Sequence, residues 1–437
     1  MGYEIFGSTV ECGERMSNKL EKERTFHSKN DQKLFGINIL REKLVKRFCF
    51  KSEYLYYAAF TLYSIAYLLA YTTFKFPLFK IQEAAWAVLL VKVCMQKYRR
   101  SEIVFAIVLL SLGFYTVFVT NDYNFFSAIL FIIAGQEIDI KKLSKLASVC
   151  LSVVITIVVV SYFLRIIPEE SLYSESGLLR HSWGFSHPNR FGSTVFALVC
   201  SVAVYYFPKC SFPRICFFLL AAFIVDSVAR SRTSAICILI VVVLCLVSLY
   251  FSSKNQFAIL KIFLFGFVFI VVVSLYFMIF YDVNSQWMFN LNDLFSGRLE
   301  LMNMYYKEIG FGIFGLDSNT LSKPAQMGML GPETENGNLI DNMYVKTLIM
   351  YGLVPFIVMY SLYYIFFRKA LIENNFCAAV FGLFLFSIFG FTEWSGTHFA
   401  LNYCMVGFTS IIYNSNKTLH VTCENNSNVE KYKNDTE

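Results

Sequence analysis

Residues 257–281 read FAILKIFLFGFVFIVVVSLYFMIFY, an apolar run long enough to cross a bilayer and carrying one charge, Lys261. Lipid offers no partner to a backbone N–H or C=O, so a run of roughly 17–25 such residues satisfies its own hydrogen bonds as an α-helix. Such runs recur along the chain and give twelve spans: about 54–74, 78–96, 103–120, 124–139, 146–167, 192–208, 215–229, 233–251, 257–281, 343–366, 376–392 and 398–413. The second is the weakest, because Glu83 and Lys92 interrupt it. Composition agrees: 16% of residues are charged, against about 25% in soluble domains. The expected fold class is an all-α polytopic membrane protein with about 12 transmembrane helices.

Short basic loops set the orientation. Lys97, Arg99 and Arg100 lie in one, Lys141, Lys142 and Lys145 in a second, then Lys209 with Arg214, Lys254, and Arg368 with Lys369. With twelve spans all of these share the side of both termini, which the positive-inside rule makes cytoplasmic. The chain then divides into a polar cytoplasmic N-terminal segment, 1–53, a transmembrane domain, 54–413, and a polar cytoplasmic tail, 414–437. Two long extracytoplasmic loops cover about 168–191 and 282–342.

The net charge of +7 reads as topology, and no nucleic-acid partner is expected. The cysteines form no CxxC pair and mostly fall inside apolar runs, so neither a disulfide framework nor a metal set is suggested. Residues 1–50 have no early apolar segment, and no cleaved signal peptide is expected.

Positive-inside bias should deplete arginine outside, yet Arg180, Arg190, Arg230, Arg232 and Arg298 all map to the outer loops. Planar, permanently charged guanidinium groups suit phosphate oxygens, so these five are candidate ligands for a lipid-linked diphosphate. Solvated loop arginines are the alternative. In LLRHSWGFSHPNRFGS, residues 178–193, Pro188 biases His187 toward an extended backbone. A helix is expected to start near Gly192 with Ser193 as cap, its free N–H groups facing an anion. His187 and the adjacent Asn189 are therefore candidate site residues, His181 a weaker one. The bland reading is an interfacial loop anchored by Trp183 and the histidines.

ARSRTS, residues 229–234, places Arg230 and Arg232 in a tight turn at the lipid–water boundary, with Asp226 as a candidate partner; simple snorkelling toward headgroups is the alternative. In the large loop, apolar residues from Leu299 to Ile309 recur at helical spacing and suggest an amphipathic helix on the surface. Glycines 310, 312 and 315 read as turns. Asp341, with Asn342 and Tyr344 beside it, stands before span ten, where it is either an N-cap or a general base.

HPN with a nearby arginine, SRT between spans seven and eight, SGR opening the large outer loop, and DNMY leading into the next span together resemble the Wzy-type polysaccharide polymerases. These share a superfamily with the O-antigen ligases. The resemblance covers roughly residues 170–360, together with the twelve-span layout. It implies oligosaccharide repeat units carried on undecaprenyl diphosphate as substrates, at the outer face of the bacterial cytoplasmic membrane. It also admits a chain-length regulator protein as a partner. The reaction it implies moves a growing glycan from one lipid carrier onto the terminal sugar of another lipid-linked unit. Such chemistry needs charge stabilisation on the departing diphosphate and activation of an acceptor hydroxyl.

Arg232 and Arg298, helped by Arg190 or Arg180, would hold the diphosphate, and Asp341 would take the proton, with His187 competing for that role. Asn189, Asn342 and Tyr344 would position substrate, and Trp183, Trp287, Tyr305 and Tyr306 would offer stacking surfaces to sugar rings, ordinary interfacial aromatics being the alternative. Ligases and many polymerases of that superfamily place a histidine where this chain has Asp341. No cofactor or metal is expected, and direct displacement would invert the anomeric centre. A ligase of the same superfamily is the first alternative. The other is a lipid-linked oligosaccharide flippase, which would be expected to carry more mid-span charge than Glu83 and Lys92.

Overall fold

The computed structural model describes residues 52–74, 77–173, 177, 179–250, 255–321 and 340–413. The polar N-terminal segment up to residue 51, the 414–437 tail, and residues 322–339 of the large loop lie outside them. The fold is all-α apart from a small antiparallel hairpin, β1 (Leu172–Tyr173) with β2 (Leu179–Arg180). The helices in chain order are α1 (Ser52–Ala70), α2 (Leu78–Met95), α3 (Arg100–Thr120), α4 (Asn124–Ala134), α5 (Ile140–Phe163), α6 (Pro188–Tyr206), α7 (Phe212–Ile224), α8 (Arg232–Tyr250) and α9 (Gln256–Phe280). Then follow α10 (Gln286–Leu294), α11 (Arg298–Ile309), α12 (Ser318–Leu321), α13 (Met343–Lys346), α14 (Leu353–Ile372), α15 (Ala378–Phe389) and α16 (Thr409–Ile412).

Among the described residues six helical segments are long and apolar enough to cross a membrane: α3, α5, α7 with its extension to Ala229, α8, α9 and α14. Only a third of the apolar window of α9 is buried inside the protein. Phe265, Phe269, Val272 and Phe280 point outward, as expected of a helix whose solvent is hydrocarbon. A multi-pass membrane protein follows from this set. Two shorter helices, α4 and α15, bury nearly every side chain and so occupy the middle of the bundle. Stacked rings tie them to their neighbours: Phe131 on Phe399 at 4.4 Å, Phe196 on Phe389 at 4.0 Å, and Phe263 on Phe384 at 3.8 Å between centroids.

Three expectations are corrected. The helix expected near Gly192 begins at Pro188, with the ring nitrogen Nδ1 of His187 as its cap, accepting from the Asn189 N–H. Proline suits the first helical position because its missing N–H would be unpaired there anyway. Ser193 lies inside the helix and donates to the Asn189 carbonyl. Span ten does not run unbroken from 343. α13 widens into a π turn over Thr347–Tyr351, and the chain breaks at Gly352 before α14. Residues 398–413 are likewise not one α-helix but a 3-10 segment, Tyr403–Phe408, followed by the single turn α16.

The break at Gly352 has a tertiary cause. The bent segment 312–316 packs against it, with the Leu353 N–H donating to the Gly312 carbonyl and the Leu316 N–H to that of Met350. Gly352 has φ +94°, and a Cβ there would fall 2.2 Å from the Gly315 nitrogen. The expected surface helix is α11, which buries Leu299, Met302 and Tyr305 along one side and packs on α9.

Gly352→Ala should destabilise the detergent-solubilised protein far more than Gly177→Ala. Gly177 also has positive φ but open space around it, so its replacement carries only the left-handed penalty of about 1–2 kcal/mol. Thermal melts of the two variants check this; equal losses would contradict the close approach.

Candidate functional site

Arg298 is the first residue of α11, and Gly297 at φ +79° turns the chain into it. Asn292 caps this helix from outside, its Oδ1 accepting from the N–H groups of Leu299 and Glu300. The guanidinium spends its donors on three other segments. Nε donates to Asp341 Oδ2 at 2.9 Å, one terminal nitrogen to Glu393 Oε1 at 2.8 Å, and the other to Thr233 Oγ1 at 3.1 Å. Arg298 is buried. Burial works against its charge, but Asp341 and Glu393 outweigh that and hold it above its ordinary value. Burial, with Asp341 adding to it, pushes the Glu393 carboxyl up to about 8 against the pull of the guanidinium. The two carboxylates differ in access: a quarter of the Asp341 side chain is exposed and only 6% of that of Glu393.

Neighbouring contacts fix this node. Asn342, not Asp341, caps α13, accepting from the Tyr344 and Val345 N–H groups. Its amide nitrogen donates to Ser274 on α9 and to the Phe391 carbonyl, and the Met343 N–H donates to the Gly390 carbonyl. Asp341 and Glu393 are thereby held in register beside one guanidinium. Tyr344 is fully buried, with its hydroxyl on the Ser387 carbonyl. Both side chains are therefore held within the core, Asn342 anchoring the residue next to Asp341, and neither is exposed. Tyr305, also expected at a sugar surface, is wholly buried too.

The HPN and SRT motifs meet because Gly192 brings α6 against α8: a Cβ there would lie 2.9 Å from the hydroxyls of Ser231 and Ser234. Arg180, on β2, donates to the Ala229 carbonyl at 3.1 Å and to Asn189 Oδ1 at 2.5 Å, so Asn189 positions Arg180. His187 feels the charges of Arg180, Asp341, Arg190 and Arg298 together, which puts all five groups in one neighbourhood. Burial first, then Arg180, lowers its imidazole to about 4. Its Nδ1 accepts the Asn189 N–H, so the neutral ring carries its proton on Nε2, which is a donor.

Arg190 is exposed and lies over the Tyr71 ring at 4.3 Å. Arg230, in the left-handed region at φ 48°, and Arg232 are exposed at the turn after a π-helical segment, outside the Arg298 node. Asp226 is exposed as well, and among the described residues it forms no ion pair with either. His181 pairs instead with Glu169 at 3.0 Å.

Thr233, Glu393, Lys346, Asp122 and His398 were missed as site residues. Glu393 and His398 bound the short EWSGTH connection, and Lys346 opens an apolar run. An ionisable group in such apolar company was the available signal. The cluster gathers at one end of the bundle: the C-terminal ends of α1, α3, α7 and α15, the N-terminal ends of α4, α6, α8 and α11, and the short helix α13. The basic residues Lys97, Arg99, Lys141, Lys142, Arg214, Arg368 and Lys369 sit at the other. Among the described residues no group of three or more His, Cys, Asp or Glu side chains is arranged to hold a metal ion.

The arrangement can therefore present one reachable carboxylate, a neutral histidine donor and two nearby guanidinium groups to an anionic substrate. Arg298→Ala would leave the buried Glu393 and the half-buried Asp341 without their cation and should cost about 3–5 kcal/mol, measured by thermal or chemical denaturation in detergent. An unchanged melting point would refute the ion-pair geometry. For His187, the unfolded ring titrates near ~6.5 and the folded one at about 4. Its neutral form thus stabilises the fold fully above about 6.5, and that contribution is lost as pH falls through about 4. His187→Asn, which keeps a capping oxygen, should flatten the fall in Tm between those values; parallel curves would exclude the effect.

No protein-family model, no curated protein and no solved structure matches this chain.

Proposed function

We propose that this protein is a glycosyltransferase of the bacterial cytoplasmic membrane, with twelve spans and both termini inside. It would join oligosaccharide repeat units, carried on a polyprenyl diphosphate such as undecaprenyl diphosphate, at the outer face. This is the activity that the resemblance to Wzy-type polymerases implies. The observation that carries the reading is the convergence of Arg180, His187, Arg298, Asp341 and Glu393, drawn from separate inter-helix segments, at one end of an apolar bundle. Basic residues gathered at the opposite end favour that other end as the cytoplasmic one.

In this mechanism an acceptor sugar hydroxyl attacks the anomeric carbon of the donor glycan. The carbon–oxygen bond to the lipid diphosphate breaks, the configuration inverts, and the hydroxyl proton passes to Asp341. Arg298, already saturated by its partners, holds that carboxylate in place and is not itself the main anion ligand. The charge on the leaving diphosphate is met by Arg180 and Arg190, with Arg230 and Arg232 approaching from the exposed turn and the Nε2–H of His187 donating. His187 is thereby a donor and Asp341 the base. Fixed donors aimed at a developing charge in a dry site supply most of such a rate enhancement.

The test is polymer-ladder formation from lipid-linked repeat units by the purified protein in detergent. Asp341→Asn should lower the rate by roughly 10²–10⁴-fold, the range for a lost general base, and Arg190→Ala should raise the KM for donor. Parent-rate ladders from Asp341→Asn would eliminate it as the base. Transfer to a different acceptor without ladders would identify a ligase.

A further inference from the structure

Beside the Arg298 node lies a second group of buried polar and aromatic side chains that the transfer chemistry does not use. Lys346, at the end of α13, is 6% exposed, and its ammonium lies 3.3 Å from the centroid of the Trp394 ring. Among the described residues it has no carboxylate within ion-pair distance and no hydrogen-bond acceptor. Asp122 and Asp341 attract it from farther away, and Arg190 repels it. A cation–π contact offsets only part of the cost of taking an ammonium out of water.

His398 is fully buried next to it. Asn124 donates through Nδ2 to Asp122 at 2.9 Å, which turns its carbonyl oxygen toward His398 Nδ1 at 2.7 Å. Nδ1 therefore carries the ring proton, and Nε2 is an acceptor that has no partner. The hydroxyl of Ser395, also buried, has none either. Aromatic rings surround this pair. Trp394 lies 4.3 Å and Tyr67 4.7 Å from the imidazole between centroids. Tyr71, hydrogen-bonded to Tyr67, carries Arg190 on its face. Arg190 is exposed, whereas Lys346 and His398 are buried.

We propose that Lys346, Trp394 and His398, with the exposed Arg190 beyond Tyr71, form a subsite for an acidic sugar. The carboxylate of a pyranose takes the Lys346 ammonium, the apolar face of its ring packs on the aromatic walls, and a ring hydroxyl donates to His398 Nε2. The chemistry selects against a phosphate group. Phosphate oxygens accept hydrogen bonds on every side and would meet aromatic faces and the lone pair of Nε2 here, whereas a hydroxylated ring with one carboxylate matches one cation, one acceptor and several π faces. This inference rests on the glycan-substrate reading above and specifies that the repeat unit contains a uronic or similar carboxylated sugar.

Saturation-transfer NMR on the full-length protein in detergent tests it, with methyl glucuronide, methyl glucoside and inorganic phosphate as probes. Glucuronide should bind saturably and at least about tenfold more tightly than glucoside, the margin expected of one charge-assisted contact. Lys346→Met should remove that preference. The variant should stay folded, since it deletes an under-compensated buried charge, and its Tm should equal or exceed that of the parent. Trp394→Leu is the second variant and should weaken both sugars alike. Equal binding of the two glycosides, full preference retained in Lys346→Met, or displacement of glucuronide by equimolar phosphate would each overturn the proposal. Glucuronide binding without polymer ladders would leave the subsite standing and fail the transfer reading. Arg190-dependent ladders without glucuronide binding would do the reverse.

Discussion

One buried guanidinium organises the polar end of this bundle. Arg298 reaches Asp341, Glu393 and Thr233 at once, so α8, α11 and the segments before α13 and after α15 are tied at a single point. Desolvating such a group is expensive, and the arrangement is tolerable only because every arm of the fork has a partner and two of those partners are carboxylates. Once it is in place, the positions of both carboxyl groups follow. One stays reachable and the other is sealed, although each contacts the same cation.

The same geometry divides labour among the basic residues. A guanidinium already committed to two carboxylates adds little to an incoming anion, so Arg298 serves as a clasp. Arg190, stacked on Tyr71 and exposed, and Arg180, steered by Asn189, remain nearer to what an anionic substrate would meet. His187 illustrates how a helix cap fixes a side chain's tautomer. Because its Nδ1 caps α6, the remaining ring proton is fixed on Nε2, and a residue that reads as a possible base becomes a donor.

Much of the scaffold was legible as pattern. The run 257–281 appears as α9, Gln256–Phe280, and the run 103–120 as α3, because a long apolar stretch in lipid has no other way to pair its backbone. The periodicity of Leu299–Ile309 likewise becomes α11. Reading failed where a distant segment intervened. Nothing local to MYVKTLIMYGLVP announces that Gly315 will press on Gly352 and break the span. Asn342, one residue beyond the aspartate singled out, supplies the cap because its side chain bonds both its own helix and α9. Glu393 carries no local signal of its pairing, since its importance comes only from a partner 95 residues away.

The amino-acid order by itself determined the class of solvent, the helical response to it, and the concentration of arginine and histidine chemistry in the connections on one side. Those properties depend on composition, period and charge bias, which are local. Which of those charges are saturated, which carboxyl group stays open, and that Lys346 and His398 lie together under Trp394 were decided by tertiary structure alone. They depend on side chains far apart in the chain being desolvated in the same small volume, where the energy of each group is set by whichever neighbours the packing supplies.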